Sequence, residues 1–214
     1  MKRLLPLPLF ALAAALLSGC VYGRAARKCL NEPWTGLEIR RRDSFVNPTY
    51  DPNRRIHLTE EAKTRKEPLP TIVVVEPDAL RDIRQAFPSG NLEPSFKPGV
   101  LLNFECIATT ESGETVSLWY FDGLAKWPES SAGTLSASVS PKGDFHCKGP
   151  AADRFFENLW RVCRKRGLFA GPFSDFIVTS DESRRLFEER IRERDVRLER
   201  ELNGLGPSAP AASE

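Results

Sequence analysis

The strongest constraint on the fold is the alternation of hydrophobic and polar residues between positions 100 and 148. A strand that is buried on one face places every second side chain in the core, so this pattern predicts β-strands. The Gly-containing turns at 111–114 and 141–144 would join neighbouring strands as hairpins. Successive hairpins make an antiparallel sheet and exclude a doubly wound nucleotide-binding fold. The segments that follow the pattern are 100–109, 115–121, 135–139 and 145–147.

Further elements are predicted on both sides of these strands. The β-branched run Thr71–Val75 predicts a strand buried on both faces, and 173–178 predicts a final strand. Helices are predicted from the spacing of apolar residues and from capping signals. Together these elements predict an α+β domain over 69–203, in which two or three helices pack on an antiparallel sheet of about five strands. The small and polar tail at 204–214 is predicted to be disordered. The predicted helices cover 78–87, 151–166 and a long segment that opens with the capping box at 179–182 and runs to about 202.

The first twenty residues have the organisation of a bacterial secretion signal. Lys2 and Arg3 form a basic start, and positions 4–17 form an uncharged apolar run. A helix rises ~1.5 Å per residue, so this run would span ~21 Å, which is less than the ~30 Å core of a bilayer. The pattern therefore predicts a signal peptide over 1–19.

The apolar run ends in Leu17-Ser18-Gly19-Cys20, which resembles the lipobox of bacterial lipoproteins. The resemblance covers only the first twenty residues. It implies a diacylglycerol on the Cys20 sulfur, cleavage before this residue and acylation of the new amine. Val21 stands where an Asp commonly marks inner-membrane retention, so the resemblance implies an outer-membrane anchor that faces the periplasm. The alternative is ordinary secretion, with Cys20 left as a free thiol.

Residues 20–68 are predicted to form a lipidated, basic and partly ordered arm that crosses the domain surface. Positions 21–68 carry 11 basic and 7 acidic side chains but little periodicity. Such an arm could contact anionic lipid headgroups, although a solvated tether is the simpler interpretation. Removal of 1–19 leaves 29 basic and 29 acidic residues, so the mature chain is formally neutral, which argues against nucleic acid as a partner.

Four cysteines remain once Cys20 is assigned to the lipid. An even number in an oxidising compartment predicts two disulfide bonds, for which three connectivities are possible. We weakly prefer Cys106 with Cys147, because both lie in strands beside aromatic residues, and Cys29 with Cys163. A zinc site is disfavoured because the cysteines are widely spaced and the chain has only two histidines.

No catalytic motif is present, and no cofactor or metal site is predicted. His146 and Cys147 are adjacent, but neighbouring side chains on a strand point to opposite faces, so they are not expected to form a nucleophile and its base. The loop at 122–131 carries Trp127, which is either a lid over the core or an anchor for a partner. The Arg-rich face of 184–200 is a second candidate for partner binding, although packing on the core is the simpler role for that helix.

These observations predict a protein anchored in the outer membrane that acts as a non-enzymatic binding module on another envelope protein. An assembly factor, a secretion accessory and an immunity protein against a periplasmic toxin all fit this description. The alternative is a periplasmic hydrolase that acts on an envelope substrate through an unrecognised site. The absence of motifs and the scarcity of histidine favour the binding module.

Overall fold

The computed structural model describes residues 24–41, 44–45, 57–58, 69–94, 104–121, 133–140, 142–178 and 181–205. The tail at 206–214 and the N-terminal 23 residues lie outside these ranges. A short 3-10 turn at Ser89–Asn91 precedes the strand Glu93–Pro94. In chain order the elements are α1 (24–31), β1 (Trp34–Arg41), β2 (Ser44–Phe45), β3 (His57–Leu58), β4 (Ile72–Val74), α2 (Pro77–Gln85), β5 (Glu93–Pro94), β6 (Phe104–Thr110), β7 (Thr115–Phe121), β8 (Thr134–Val139), β9 (Gly143–Lys148), α3 (Pro150–Lys165), α4 (Phe173–Phe176) and α5 (Asp181–Leu202).

Seven strands form one open sheet in the order β4-β1-β6-β7-β8-β9-β5, and all of the neighbouring pairs are antiparallel. The β6–β7 and β8–β9 hairpins confirm the pairing that the alternating pattern predicts. The antiparallel α+β class is therefore confirmed, but the sheet has seven strands rather than about five. Strands β2 and β3 pair separately with each other.

One face of the sheet is covered by helices. α2 packs against β1, and α3 packs against β8 and β9. Aromatic rings fill the space between the layers: Phe156 of α3 lies 5.6 Å from Phe104 and 4.4 Å from Tyr120, measured between ring centroids. Burial of such large rings dominates the stability of a core of this kind. The largest fully buried side chains include Trp160, Phe104, Phe155, Phe156, Phe173 and Phe176.

The helix α3 begins and ends where its sequence indicates. Pro150 occupies the first turn, where its missing N–H costs no hydrogen bond. At the other end Gly167 has φ 69°, and the N–H of Leu168 donates to the carbonyl of Cys163 at 2.9 Å. This arrangement is a glycine C-cap.

Residues 24–41 are a part of the domain rather than of a tether. In α1, Ala26, Cys29 and Leu30 are buried, and β1 is the second strand of the sheet. The structure therefore corrects the prediction of a surface arm for these positions. Alternation in β1 is interrupted by a register shift near Gly36, which is why the pattern is weak in the sequence.

Two other predictions are wrong. The strand at β4 is an edge strand rather than one buried on both faces, because Val73 is 52% exposed while its neighbours are buried. The final strand predicted at 173–178 is instead the single-turn helix α4. Phe173 and Phe176, three residues apart, both enter the core, which is a helical rather than an extended spacing.

The long helix α5 docks on α3 and α4. Ile191 and Leu198 are buried, and Arg197 and Arg161 both lie beside the buried carboxylate of Glu157. The predicted long helix that ends near 202 is confirmed, but the backbone is not helical at Phe187 (φ −131°), where α5 is kinked. None of the helices in the described ranges has the length and apolar character needed to span a bilayer.

Candidate interaction face

The face of the sheet opposite the helices carries a mixed polar and aromatic surface, which we call the open face. Pairing across the strands places many of its side chains in two central rows, since directly paired residues point to the same side of a sheet. The first row is Arg40, Glu105, Trp119, Ser136, His146 and Glu93. The second row is Val73, Glu38, Ile107, Ser117, Ser138 and Asp144.

Trp119 lies at the centre of the open face, on the middle strand of the seven. Its ring is partly exposed, but its indole N–H is buried and has no hydrogen-bond acceptor in the described part of the chain. On one side it neighbours Glu105 and on the other Ser136, so the flanking side chains are polar. A partly exposed tryptophan between polar side chains is the aromatic-anchor arrangement found in protein interfaces.

Carboxylates outnumber basic groups in the two rows. Arg40 pairs with Glu38, at 2.7 Å between Nη2 and Oε2. His146 lies 3.7 Å from Glu93, measured from Nε2 to Oε2, at the β5 edge. Lys148, two residues beyond His146 on β9, is a second basic group on this face, so the described part of the open face carries four carboxylates and two basic side chains and favours a partner that presents basic residues. These carboxylates belong to Glu38, Glu93, Glu105 and Asp144.

The four predicted disulfide cysteines are buried free thiols in this structure. The pairing of Cys106 with Cys147 is wrong, because β7 and β8 lie between their strands and three strand spacings amount to ~14 Å. The pairing of Cys29 with Cys163 is also wrong. Cys29 accepts a hydrogen bond from Lys142 beside the β8–β9 turn, whereas Cys163 interacts electrostatically with Arg41 at the opposite end of β1.

The chemistry of these thiols is that of core residues. Burial raises the pKa of Cys163 to about 12 and raises the pKa of Cys106 well above its ordinary value. Because the thiolate is the nucleophilic form, neither residue is activated at neutral pH. Cys147 is buried on the helix-covered face and His146 lies on the open face, so the two point apart as alternation requires. Within the described ranges, no three His, Cys, Asp or Glu side chains are grouped to hold a metal ion.

Trp127 and Cys20 lie outside the described residues, but the structure describes the residues on either side of the segment that carries Trp127. Asp153 of α3 accepts hydrogen bonds from the Tyr120 hydroxyl (2.7 Å) and the Gly133 N–H (3.0 Å). One carboxylate thus joins the residues on either side of the segment 121–132. The position of Trp127 as a partner-binding residue stays a prediction.

The Arg-rich face of α5 is largely used within the molecule. Arg197 pairs with Glu157 at 2.7 Å, Arg184 pairs with Asp175, and the guanidinium of Arg194 lies 4.9 Å from the centre of the Phe173 ring. These contacts fix α5 to α3 and α4, which makes this face a poorer candidate for a partner than its composition suggests.

The open face was the feature that sequence reasoning missed. The alternation in β7 assigns Trp119 to the outward side of a strand, and an outward tryptophan is the signal that could have identified it. The other residues of its row could not be found, because the row depends on the register of six strands. Comparisons with protein-family models, curated proteins and solved structures gave no match to this chain.

Proposed function

We propose that this chain is a lipoprotein, anchored in the outer membrane through Cys20, whose periplasmic domain binds another envelope protein without catalysis. The open face of the sheet is the binding surface, and a partner segment with basic side chains is the occupant. The anchor is proposed on the Leu17-Ser18-Gly19-Cys20 resemblance alone.

The observation that carries the binding proposal is the row centred on Trp119. A partly exposed tryptophan between polar neighbours supplies a large contact area at a small entropic cost. A small rotation of its ring would offer the unsatisfied indole N–H to a carbonyl of the partner, which removes a cost of about 1–3 kcal/mol. The carboxylates on either side would then steer and orient a basic segment.

Site-specific photo-crosslinking tests the surface directly. Val73 lies on the open face and Val196 lies on α5, and both are 52% exposed, so they form a matched pair of positions. A photoreactive residue at position 73 should give a specific adduct with one envelope protein in intact cells, whereas the same residue at position 196 should not. Equal adducts from both positions, or none from position 73, would contradict the proposed surface.

A variant separates binding from folding. Trp119→Ala should weaken the captured complex by about 2 kcal/mol, the size expected for an aromatic anchor, while the thermal unfolding curve shows that the domain is still folded. Turnover of an envelope substrate by the purified protein, with loss of activity when two carboxylates are replaced, would instead establish the hydrolase alternative.

A further inference from the structure

The helix α1 has one buried and one basic face. Ala26, Cys29 and Leu30 pack into the core. The exposed positions recur with the helical spacing of three and four residues, so they form a single stripe. The members of this stripe are Arg24, Arg27, Lys28 and Asn31.

Few acidic side chains in the described part of the chain lie against the basic stripe. Arg27 donates to the carbonyl oxygen of Leu92 at 3.1 Å and lies 5.6 Å from the centre of the Phe145 ring, but neither contact neutralises it. Glu114, in the turn at the same end of the sheet, is paired with Lys142 at 2.6 Å. Glu32 is the carboxylate that interacts with Lys28, so residues 24–32 carry a net charge of +2 from three basic side chains and one acidic one.

The chain between the acceptor cysteine and this helix is short. Only residues 21–23 separate Cys20 from Arg24. A fully extended chain covers at most ~3.6 Å per residue, so the start of α1 lies no more than ~14 Å from the anchored residue. The proposed anchor would therefore hold the start of the domain close to the bilayer, with no long flexible linker between them.

We propose that α1 lies against the membrane surface, with Arg24, Arg27 and Lys28 on the headgroups of anionic phospholipids. This inference rests on the anchor in the proposed function. The lipid brings the helix to the surface, and the basic stripe then fixes the orientation of the domain. Basic residues near an anionic bilayer are attracted within about one Debye length, ~8 Å at physiological salt, and a helix that lies on the surface holds the stripe within that distance.

This orientation also places the rest of the domain. α1 crosses the end of the sheet that carries the β6–β7 and β8–β9 turns, since Cys29 contacts Lys142 and Ala26 approaches Gly143. The strands therefore point away from the bilayer, with the β6–β7 and β8–β9 turns nearest to it. The open face is then roughly perpendicular to the bilayer, where it is accessible to a second envelope protein.

Amine labelling of the lipidated mature protein in vesicles tests the contact. Lys28 on α1 and Lys165 at the end of α3 are both exposed in the structure and serve as probe and control. In vesicles that contain phosphatidylglycerol, we expect Lys28 to react about fivefold more slowly than in pure phosphatidylcholine, the factor for about 1 kcal/mol per basic residue, whereas Lys165 reacts equally in both. Arg24→Glu should reduce this protection, and Arg192→Glu on α5, with the same change of charge, should not.

The two proposals can fail separately. The intact mass shows whether Cys20 is acylated, and an unacylated protein that stays out of the vesicles refutes the anchor. If the protein is acylated and vesicle-bound, yet Lys28 reacts at the same rate in both lipids, the orientation by α1 is wrong and the anchor stands. Equal protection of Lys28 and Lys165 would also overturn the inference, because it would indicate general shielding by the vesicle.

Discussion

Asp195 is a charged residue in the middle of α5 that stabilises the packing of α5 on α4. Its carboxylate accepts hydrogen bonds from the N–H (3.0 Å) and the hydroxyl (2.6 Å) of Ser174, in the first turn of α4. Ser174 is 1% exposed, so Asp195→Ala would leave two buried donors without an acceptor. Each unsatisfied donor costs about 1–3 kcal/mol, and removal of the buried carboxylate recovers a part of this because its desolvation cost disappears. We therefore expect the free energy of unfolding to fall by roughly 2–4 kcal/mol.

Asp195→Asn is the matched control. The amide oxygen can accept from the Ser174 N–H while the amide nitrogen donates to the hydroxyl oxygen, so both contacts remain and only the charge is lost. We expect the free energy of unfolding of this variant, measured with urea at pH 7, to be lower than that of the wild type by no more than about 1 kcal/mol. Equal losses in the alanine and asparagine variants, or no loss in either, would refute the role assigned to these hydrogen bonds.

The pH dependence of stability gives a second readout. Burial raises the pKa of Asp195, which outweighs the opposing effect of the bonds from Ser174. A carboxyl whose folded pKa is raised binds its proton more readily in the folded state. Its protonation therefore stabilises the protein below the ordinary Asp pKa of about 3.9, and this contribution is lost as the pH rises through the folded pKa. The unfolding free energy of the wild type minus that of Asp195→Asn should therefore fall as the pH rises from the ordinary Asp pKa to the folded pKa, and it should be constant above the folded pKa.

Three further predictions concern the core. Leu198→Ala, at a fully buried position of α5, should cost about 2–5 kcal/mol in urea unfolding, whereas Val196→Ala, which is half exposed on the same helix, should stay within about 0.5 kcal/mol. Gly133→Ala should cost about 1–3 kcal/mol or more in the same assay, because the added methyl group would overlap the carboxylate of Asp153; an unchanged midpoint would show that this contact can relax. Because burial raises the pKa of Cys163 to about 12, iodoacetamide at pH 8 should not modify it in the native protein but should do so after unfolding; a thiol that reacts only after reduction would reveal a disulfide.

The sequence predicts the centre of this fold better than its edges. The β6–β7 and β8–β9 hairpins and α3 follow from local patterns, because each buries one face and ends at a glycine or proline signal. The strand β1 was missed because its pairing with β4 and β6 joins residues far apart in the chain. β5 was missed because two residues ending in Pro94 are too short for any periodicity.

The candidate site shows the same division between local and distant information. The outward position of Trp119 can be read from alternation within β7. The fact that Glu105 and Ser136 flank it depends on the register of three strands, which no local pattern specifies. The helix α4 was mistaken for a strand because the contact that fixes it, from Asp195 to Ser174, spans 21 residues.

The shortness of the two edge strands would matter for a domain held on a membrane by the proposed lipid anchor. β4 has three residues and β5 has two, and Pro94 in β5 has no N–H to offer to another strand. Long open edges invite strands of neighbouring molecules to extend a sheet, and this tendency grows with local concentration. Lipid anchoring would confine many copies to two dimensions, where encounters between sheet edges are frequent. With the proposed anchor, truncated edges would therefore allow dense coverage of a bilayer without growth of intermolecular β-structure.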